Sequence, residues 1–310
     1  MTYILKDFGS YTVGGRLHHV AEGTPETVQF TRDAAYAYDP RGHFAVEHTY
    51  VQYFVPEGVG DDPPVVLVHG GGLHGSTWET TPDGRPGWLH LLLARGHSVH
   101  VVDAVERGRA GFAPGLWPGK PILRSLEEAW ALFRFGPPEG FAQRAAFPGQ
   151  QFPVEALESF AQRFVPRWLT TAPLHSAGLV AVLERTGPAI IICHSQGGET
   201  TFSALERRPD LVVAVLAVEP SAFPSDADPF RACPLVIAMG DHLDVAHHWR
   251  ERAHRWAELV DTARTSGAKA WLLDTAKEVA PGGSHMLMMD RHMAPCLEAM
   301  LAHSRRLTGT

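Results

Sequence analysis

Residues 189–200 read Ala-Ile-Ile-Ile-Cys-His-Ser-Gln-Gly-Gly-Glu-Thr. Ile190, Ile191 and Ile192 form a β-branched run of the kind that fills a buried strand. The run breaks at Ser195, flanked by His194 and Gln196, with Gly197 and Gly198 behind. A strand that ends in a small-residue turn and re-enters a helix lifts a serine hydroxyl clear of a sheet. The glycines let the backbone bend sharply and the helix pack close. The usual pattern places glycine two residues before the serine; Cys193 stands there and is small enough to fit. Alone, such a turn also admits a purely structural reading, as a buried Ser-Gln-Gly turn.

A second stretch changes that balance. Residues 65–75 read Val-Val-Leu-Val-His-Gly-Gly-Gly-Leu-His-Gly, an apolar strand running into a glycine-rich loop. In serine hydrolases of the α/β-hydrolase fold, such a loop supplies one N–H of the oxyanion hole, and the residue after the nucleophile supplies the other. The candidate donors are Gly71 and Gln196, with Gly72 as the alternative. A phosphate-cradling loop is the competing reading. It lacks both the Gly-Lys-Ser/Thr ending and a Gly-x-Gly-x-x-Gly run opening a helix.

Working outward, apolar runs and helical patterns alternate. Strands are expected at 65–69, 98–103, 189–194, 212–218, 235–239 and 269–273. Helices are expected near 85–95, 174–186, 197–207, 244–266 and 286–304. This alternation predicts an α/β fold with a mostly parallel central sheet and helices on both faces. Residues 1–55 read as an antiparallel start, with strands at 11–13 and 45–55. The whole chain, 1–310, is expected to be one domain.

Composition narrows the function classes. The 310 residues carry a net charge of −7 and no basic block, so neither nucleic acid nor an anionic membrane is an expected partner. No apolar run approaches the roughly 18 residues that span a bilayer. The three cysteines, Cys193, Cys233 and Cys296, are too few and too widely spaced for a disulfide framework or a zinc site. With no signal peptide legible at the start, a cytoplasmic protein is the expectation.

One stretch breaks the alternation. Residues 110–168 exceed what a helix and two loops need by about fifty residues. They hold eleven of the chain's 29 aromatic residues, among them Trp130, Phe133, Phe135, Phe152 and Phe160. So many rings must be buried against something. The segment reads as a lid over the carboxyl ends of the strands, where ligands bind in open α/β sheets. Trp130 and Phe135 are its candidate substrate contacts.

A serine nucleophile needs a base and an acid that orients it. In this fold they follow the serine in the order acid, histidine. His285 sits in Pro281-Gly282-Gly283-Ser284-His285, after the last strand and before the closing helix, and is the candidate base. Two carboxylates compete as acid: Glu219, in Ala-Val-Glu-Pro-Ser, and Asp244, in Met-Gly-Asp-His-Leu-Asp. Strand-end position alone favours Asp244. Asp241, His242, Asp244, His247 and His248 are rich in ligand atoms but match no tight metal spacing, and no cofactor is expected.

With these residues in hand, the chain resembles the small bacterial carboxylesterases of the esterase 713 type. The resemblance runs through Gly9–Arg16, His69-Gly70, Thr77–Arg85, Glu106–Arg109, Ala129–Gly136, Cys193–Gly198, Val218-Glu219-Pro220 and Ser284-His285-Met286. It implies Ser195 as nucleophile, His285 as base and Glu219 as acid. It also implies a homodimer whose lid regions shape the acyl pocket. Where that type carries adjacent cysteines after His-Gly, this chain has Gly71-Gly72. The expected activity is hydrolysis of a small to medium, largely apolar carboxylic ester, with Gly72 and His194 also near the substrate. An acyltransferase, a lactonase or a carbon–carbon hydrolase would use the same groups. A ligand receptor that has abandoned catalysis is the rival from another class.

Overall fold

The computed structural model describes residues 3–60, 62–224 and 226–308. Leu5–Val20 (β1) leads through a small hairpin, Glu26–Thr31 (β2) and Ala34–Tyr38 (β3), into Gly42–Pro56 (β4). β1 and β4 pair antiparallel along almost their full length, with Tyr11 opposite Val51. The expected antiparallel start is thus a long ribbon, much longer than its apolar centres at 11–13 and 45–55. Its outer residues are polar or exposed, so hydrophobic alternation marks only the part that meets the core.

Six further strands follow: Val65–Val68 (β5), Val99–Asp103 (β6), Ala189–His194 (β7), Val212–Val218 (β8), Leu235–Met239 (β9) and Ala270–Asp274 (β10). The sheet order is β1-β4-β6-β5-β7-β8-β9-β10, and every pair from β6 to β10 is parallel. Successive residues of a strand face opposite sides, so a strand covered on both sides is apolar throughout. Val65 and Leu67 enter one core, while Val66 and Val68 enter the other.

Trp88–Leu93 (α1) covers the first face. Leu126–Leu132 (α2) and Leu157–Ala161 (α3) lie in the insertion, and Ala172–Thr186 (α4) follows it. Gly197–Arg207 (α5), His247–Thr265 (α6), the single turn Thr275–Glu278 (α7) and Met293–Thr308 (α8) complete the chain. α1 and α8 pack on the first core, and α4, α5 and α6 on the second. The expected helix at 286–304 begins only at Met293. Ahead of it, the Asp290 carboxylate accepts from both the N–H and the hydroxyl of Ser284 (2.7 Å each), which folds 284–290 into turns. The fully buried Met286–Met289 mimic a helical apolar run there. Similarly, α6 starts at His247 rather than near 244.

In the insertion, Trp130, Phe135, Phe152 and Phe160 are completely buried. Phe135 and Phe152 stack with ring centroids 3.9 Å apart. This aromatic cluster is continuous with Met286–Met289 and hence with the first core. Ser125 caps α2, accepting from the Glu128 N–H at 3.1 Å. Among the described residues, no helix is long and apolar enough to cross a membrane.

Candidate active site

β7 delivers Ser195 to a turn with φ of 51°, a left-handed conformation that few side chains adopt without support. Support comes from three backbone hydrogen bonds. Ser195 N–H donates to Val218 O (3.0 Å), and Ser195 O accepts from the N–H groups of Gly198 and Ser221 (2.9 Å each). The two glycines behind it are required by close approach. A Cβ on Gly197 would sit 2.7 Å from the His69 carbonyl oxygen, and one on Gly198 would sit 2.5 Å from the Pro220 side chain. Cys193 is fully buried, and burial pushes its thiol up to about 12, so it fills space beside the elbow.

Glu219 lies at the end of the neighbouring strand β8, also at positive φ (42°) and fully buried. His285 Nδ1 donates to Glu219 Oε2 at 2.5 Å. Oε2 also accepts from Arg134 Nη1 (2.9 Å), while Oε1 accepts from Arg134 Nη2 (2.5 Å) and Gly240 N–H (2.7 Å). Burial by itself would raise this carboxyl. The Arg134 charge, followed by the bond and charge of His285, overrides burial and holds it at about 2. Burial lowers the His285 imidazole to about 4 against the pull of Glu219. At neutral pH the pair is therefore carboxylate and neutral imidazole, with Nδ1–H fixed toward Glu219 and Nε2 left basic.

His285 is wedged among rings. Phe133 stacks on it at 5.5 Å and Trp249 lies 4.8 Å away. His194 Nε2 donates to the His285 carbonyl at 3.0 Å, and burial keeps His194 neutral. Asp244 is exposed beyond β9, and its backbone carbonyl accepts from Arg250. Glu219, not Asp244, is thus the carboxylate brought to His285. β8 ends beside the elbow, whereas the loop after β9 meets Glu219 through the Gly240 N–H and leaves Asp244 exposed.

The loop after β5 passes directly over the elbow. Gly71 faces the Gln196 side chain so closely that a Cβ there would lie 2.7 Å from Gln196 Oε1. Neither the N–H of Gly71 nor that of Gln196 donates to a described backbone carbonyl. Gly72 sits at φ 72° and its carbonyl accepts from Val165 N–H, so its role is to turn the loop and tie it to the insertion. Behind Gln196, the buried Arg107 donates to Gln196 Oε1 (3.4 Å) and to Glu106 (3.0 Å).

A cavity of about 200 Å³ opens at these groups, lined by Gly71, His194, Ser195, Gln196 and His285. Its outer wall holds Arg124, Leu132, Phe133 and Arg167 from the insertion, and Arg252 from α6. Trp130 and Phe135 do not line it. They lie within the insertion's own core, where Trp130 Nε1 donates to Pro137 O (2.9 Å). A larger cavity, about 630 Å³, lies at the opposite ends of the strands beside Ile190 and Leu301, and holds none of the residues expected to act. Asp241 spends its carboxylate on the N–H groups of His242 and Gly282, and among the described residues no three metal-ligating side chains are gathered.

The sequence reading missed Arg134, Phe133 and the arginines of the cavity wall. Arg134 left one trace, its place in the segment Ala129–Gly136 that carries the resemblance. Arg167 and Arg252 left none, because nothing local distinguishes them from surface arginines.

No protein-family model matches the chain. The solved structure of a novel bacterial esterase is 31% identical, with a TM-score of 0.86, over 99% of this chain and 98% of its own. The probable secreted lipase phiG of a fungal species (strain ATCC 74256) is 29% identical over 212 residues. That match takes in 62% of this chain and spans 55% of the length of the lipase.

Proposed function

The chain belongs to the esterases of the α/β-hydrolase fold, and from that premise we propose that it hydrolyses carboxylic esters through an acyl-enzyme on Ser195. Ser195 Oγ attacks the ester carbonyl carbon and its proton passes to His285 Nε2. The N–H groups of Gly71 and Gln196 hold the oxyanion. Collapse expels the alcohol, which takes the proton from His285. Water, deprotonated by the same nitrogen, then attacks the acyl carbon and frees the acid and Ser195. Glu219 stays ionised, orients the imidazole and stabilises the imidazolium.

The observation that carries this reading is the 2.5 Å contact of His285 Nδ1 with Glu219 at the wall of a cavity that also exposes Ser195. A role for residues 110–168 as the cover of that cavity is part of the same proposal. It is supported by the share of the cavity wall that this segment forms and by the Phe133 carbonyl accepting the His285 N–H at 3.1 Å.

The test is a serine-directed fluorophosphonate together with a chromogenic short-acyl ester. Wild type should be labelled once, on Ser195, and turn the ester over. Ser195→Ala should remain folded, resist labelling and lose several orders of magnitude in turnover. A wild type that turns over no ester, or an alanine variant with near-normal turnover, would reject the proposal.

A further inference from the structure

Arg124 and Arg167, on two segments of the insertion joined by the Ile122–Arg167 bridge, and Arg252 from α6 all line the active-site cavity, with Glu199 as the sole acidic residue on its wall among the described residues. The chain as a whole carries a net charge of −7, so this concentration of positive charge is a local feature. Arg124 is neutralised by Glu128 (2.7 Å). The other two make no such contact, although the charges of Glu219 and Glu251 act on Arg252 from farther off. No described carboxylate lies within 4.0 Å of the guanidinium of Arg167 or of Arg252. Arg252 rests on the Trp249 ring (4.9 Å to its centroid), which fixes the group without discharging it. Arg167 abuts the oxyanion loop so closely that a Cβ on Gly71 would collide with its Nη1.

Half-buried, unpaired guanidiniums stay costly until an anion meets them. Their planar forks suit a carboxylate, which they bind with charge-assisted hydrogen bonds. A cavity of about 200 Å³ is small beside the roughly 300–1,000 Å³ of pockets for drug-sized ligands. Apart from Gly71, Leu132 and Phe133 its lining is polar or charged, which runs against the largely apolar ester expected from the sequence.

Resting on the hydrolase reading above, we propose that the substrate is a small ester carrying a free carboxylate a few bonds from the scissile carbonyl. Arg167 and Arg252 read the carboxylate. A half-ester of a short dicarboxylic acid has this chemistry. The carboxylate lies against Arg167 at the oxyanion loop, while the ester carbonyl points its oxygen at Gly71 and Gln196. Arg252, on the wall of the same cavity, supplies the second guanidinium to that carboxylate.

Monomethyl succinate and dimethyl succinate separate this inference from the reading it rests on, because they differ by one charge. Hydrolysis of each is followed by pH-stat at neutral pH. Wild type should prefer the monoester anion in kcat/KM by about tenfold or more. Arg167→Met and Arg252→Met should each reduce that ratio by about tenfold, chiefly through KM. Arg167→Lys should restore part of it, since it keeps the charge and loses the fork. Melting temperatures of the variants show that they fold. Turnover of both esters with no preference for the anion, or a ratio unmoved in both methionine variants, overturns the anionic-substrate inference and leaves the hydrolase standing. Turnover of neither ester, nor of the chromogenic ester, overturns both.

Discussion

Two regions build this site in opposite ways. From Ala189 to Pro220, each functional group stands at a strand end, and its position follows from the backbone. Ser195 and Glu219 occupy consecutive strand ends, both at positive φ, and Ser195 N–H bonds to the last residue of β8. From 110 to 168 the described residues form short helices, loops and an isolated bridge between Ile122 and Arg167, and most of the groups reach the site by side-chain contact. Phe133 packs on His285, Arg134 clamps Glu219, and Arg167 leans on Gly71. The strand ends place Ser195 and Glu219, and the insertion supplies the ring against His285 and the charge against Glu219. Variants in the two regions should therefore fail in different ways.

The largest effect divides the two candidate acids. Glu219→Gln should lower turnover by about a thousandfold or more, by analogy with acid replacements in other triads. Asp244→Asn, on an exposed loop, should stay within about twofold of wild type. Steady-state kinetics at matched melting temperature decide it, and the reverse ranking would mean that the strand-end framework has been misassigned.

Next comes the clamp. Arg134→Met leaves the fully buried Glu219 carboxylate with two donors, His285 and Gly240, in place of four. Breaking one side of a buried ion pair typically costs about 3–5 kcal/mol. Urea unfolding should show a loss of that order, and ester turnover should fall with it. A variant of normal stability would show that the insertion does not hold the acid.

Trp130→Ala and Phe135→Ala probe the insertion's interior. Both rings are fully buried and away from the cavity, so each truncation should cost about 3–5 kcal/mol in stability. Selectivity among esters should change little once folding is restored at lower temperature. Phe133→Ala, at the cavity wall, should alter selectivity. An ester profile that moves more in the first two variants than in the third would contradict this division.

The smallest effect is a pH slope. Burial pushes the Asp290 carboxyl up to about 7 against its two bonds from Ser284. The folded protein thus holds a proton that the unfolded chain releases near its ordinary value of about 3.9. This contribution to stability is fully present below about pH 4 and is lost as pH rises through about 7. Asp290→Asn cannot titrate. The stability difference between wild type and Asp290→Asn, read from melting temperatures, should therefore shift against wild type between pH 4 and pH 8. Parallel curves would mean that Asp290 does not titrate in that window.

The strands and the elbow were legible because their causes are local. A β-branched run predicts a buried strand, and Ser-Gln-Gly-Gly after one predicts the elbow; β8 and β9 begin and end where the apolar runs do. Glu219 stood out through its place between an apolar strand and a proline, although strand-end position alone pointed to Asp244. Eleven aromatics announced that the insertion has something to bury, but not which ring turns toward the cavity. Trp130 and Phe135 turn inward, and their neighbour Phe133 meets His285.

The sequence by itself determined the parallel sheet, the strand-turn-helix elbow at Ser195 and the glycine-rich loop after the first parallel strand. Each is written as a periodicity or a residue pattern within about a dozen positions. Only the tertiary structure decided which carboxylate meets His285, that Arg134 holds it ionised, and that Arg167 and Arg252 are left without a partner inside the cavity. Those outcomes depend on distances between residues far apart in the chain, 66 positions for Glu219 and His285 and 85 for Arg134 and Glu219. An arginine's charge has the same sign everywhere in the chain. Its consequence depends on burial and on the nearest opposite charge, and both exist only once the chain has folded.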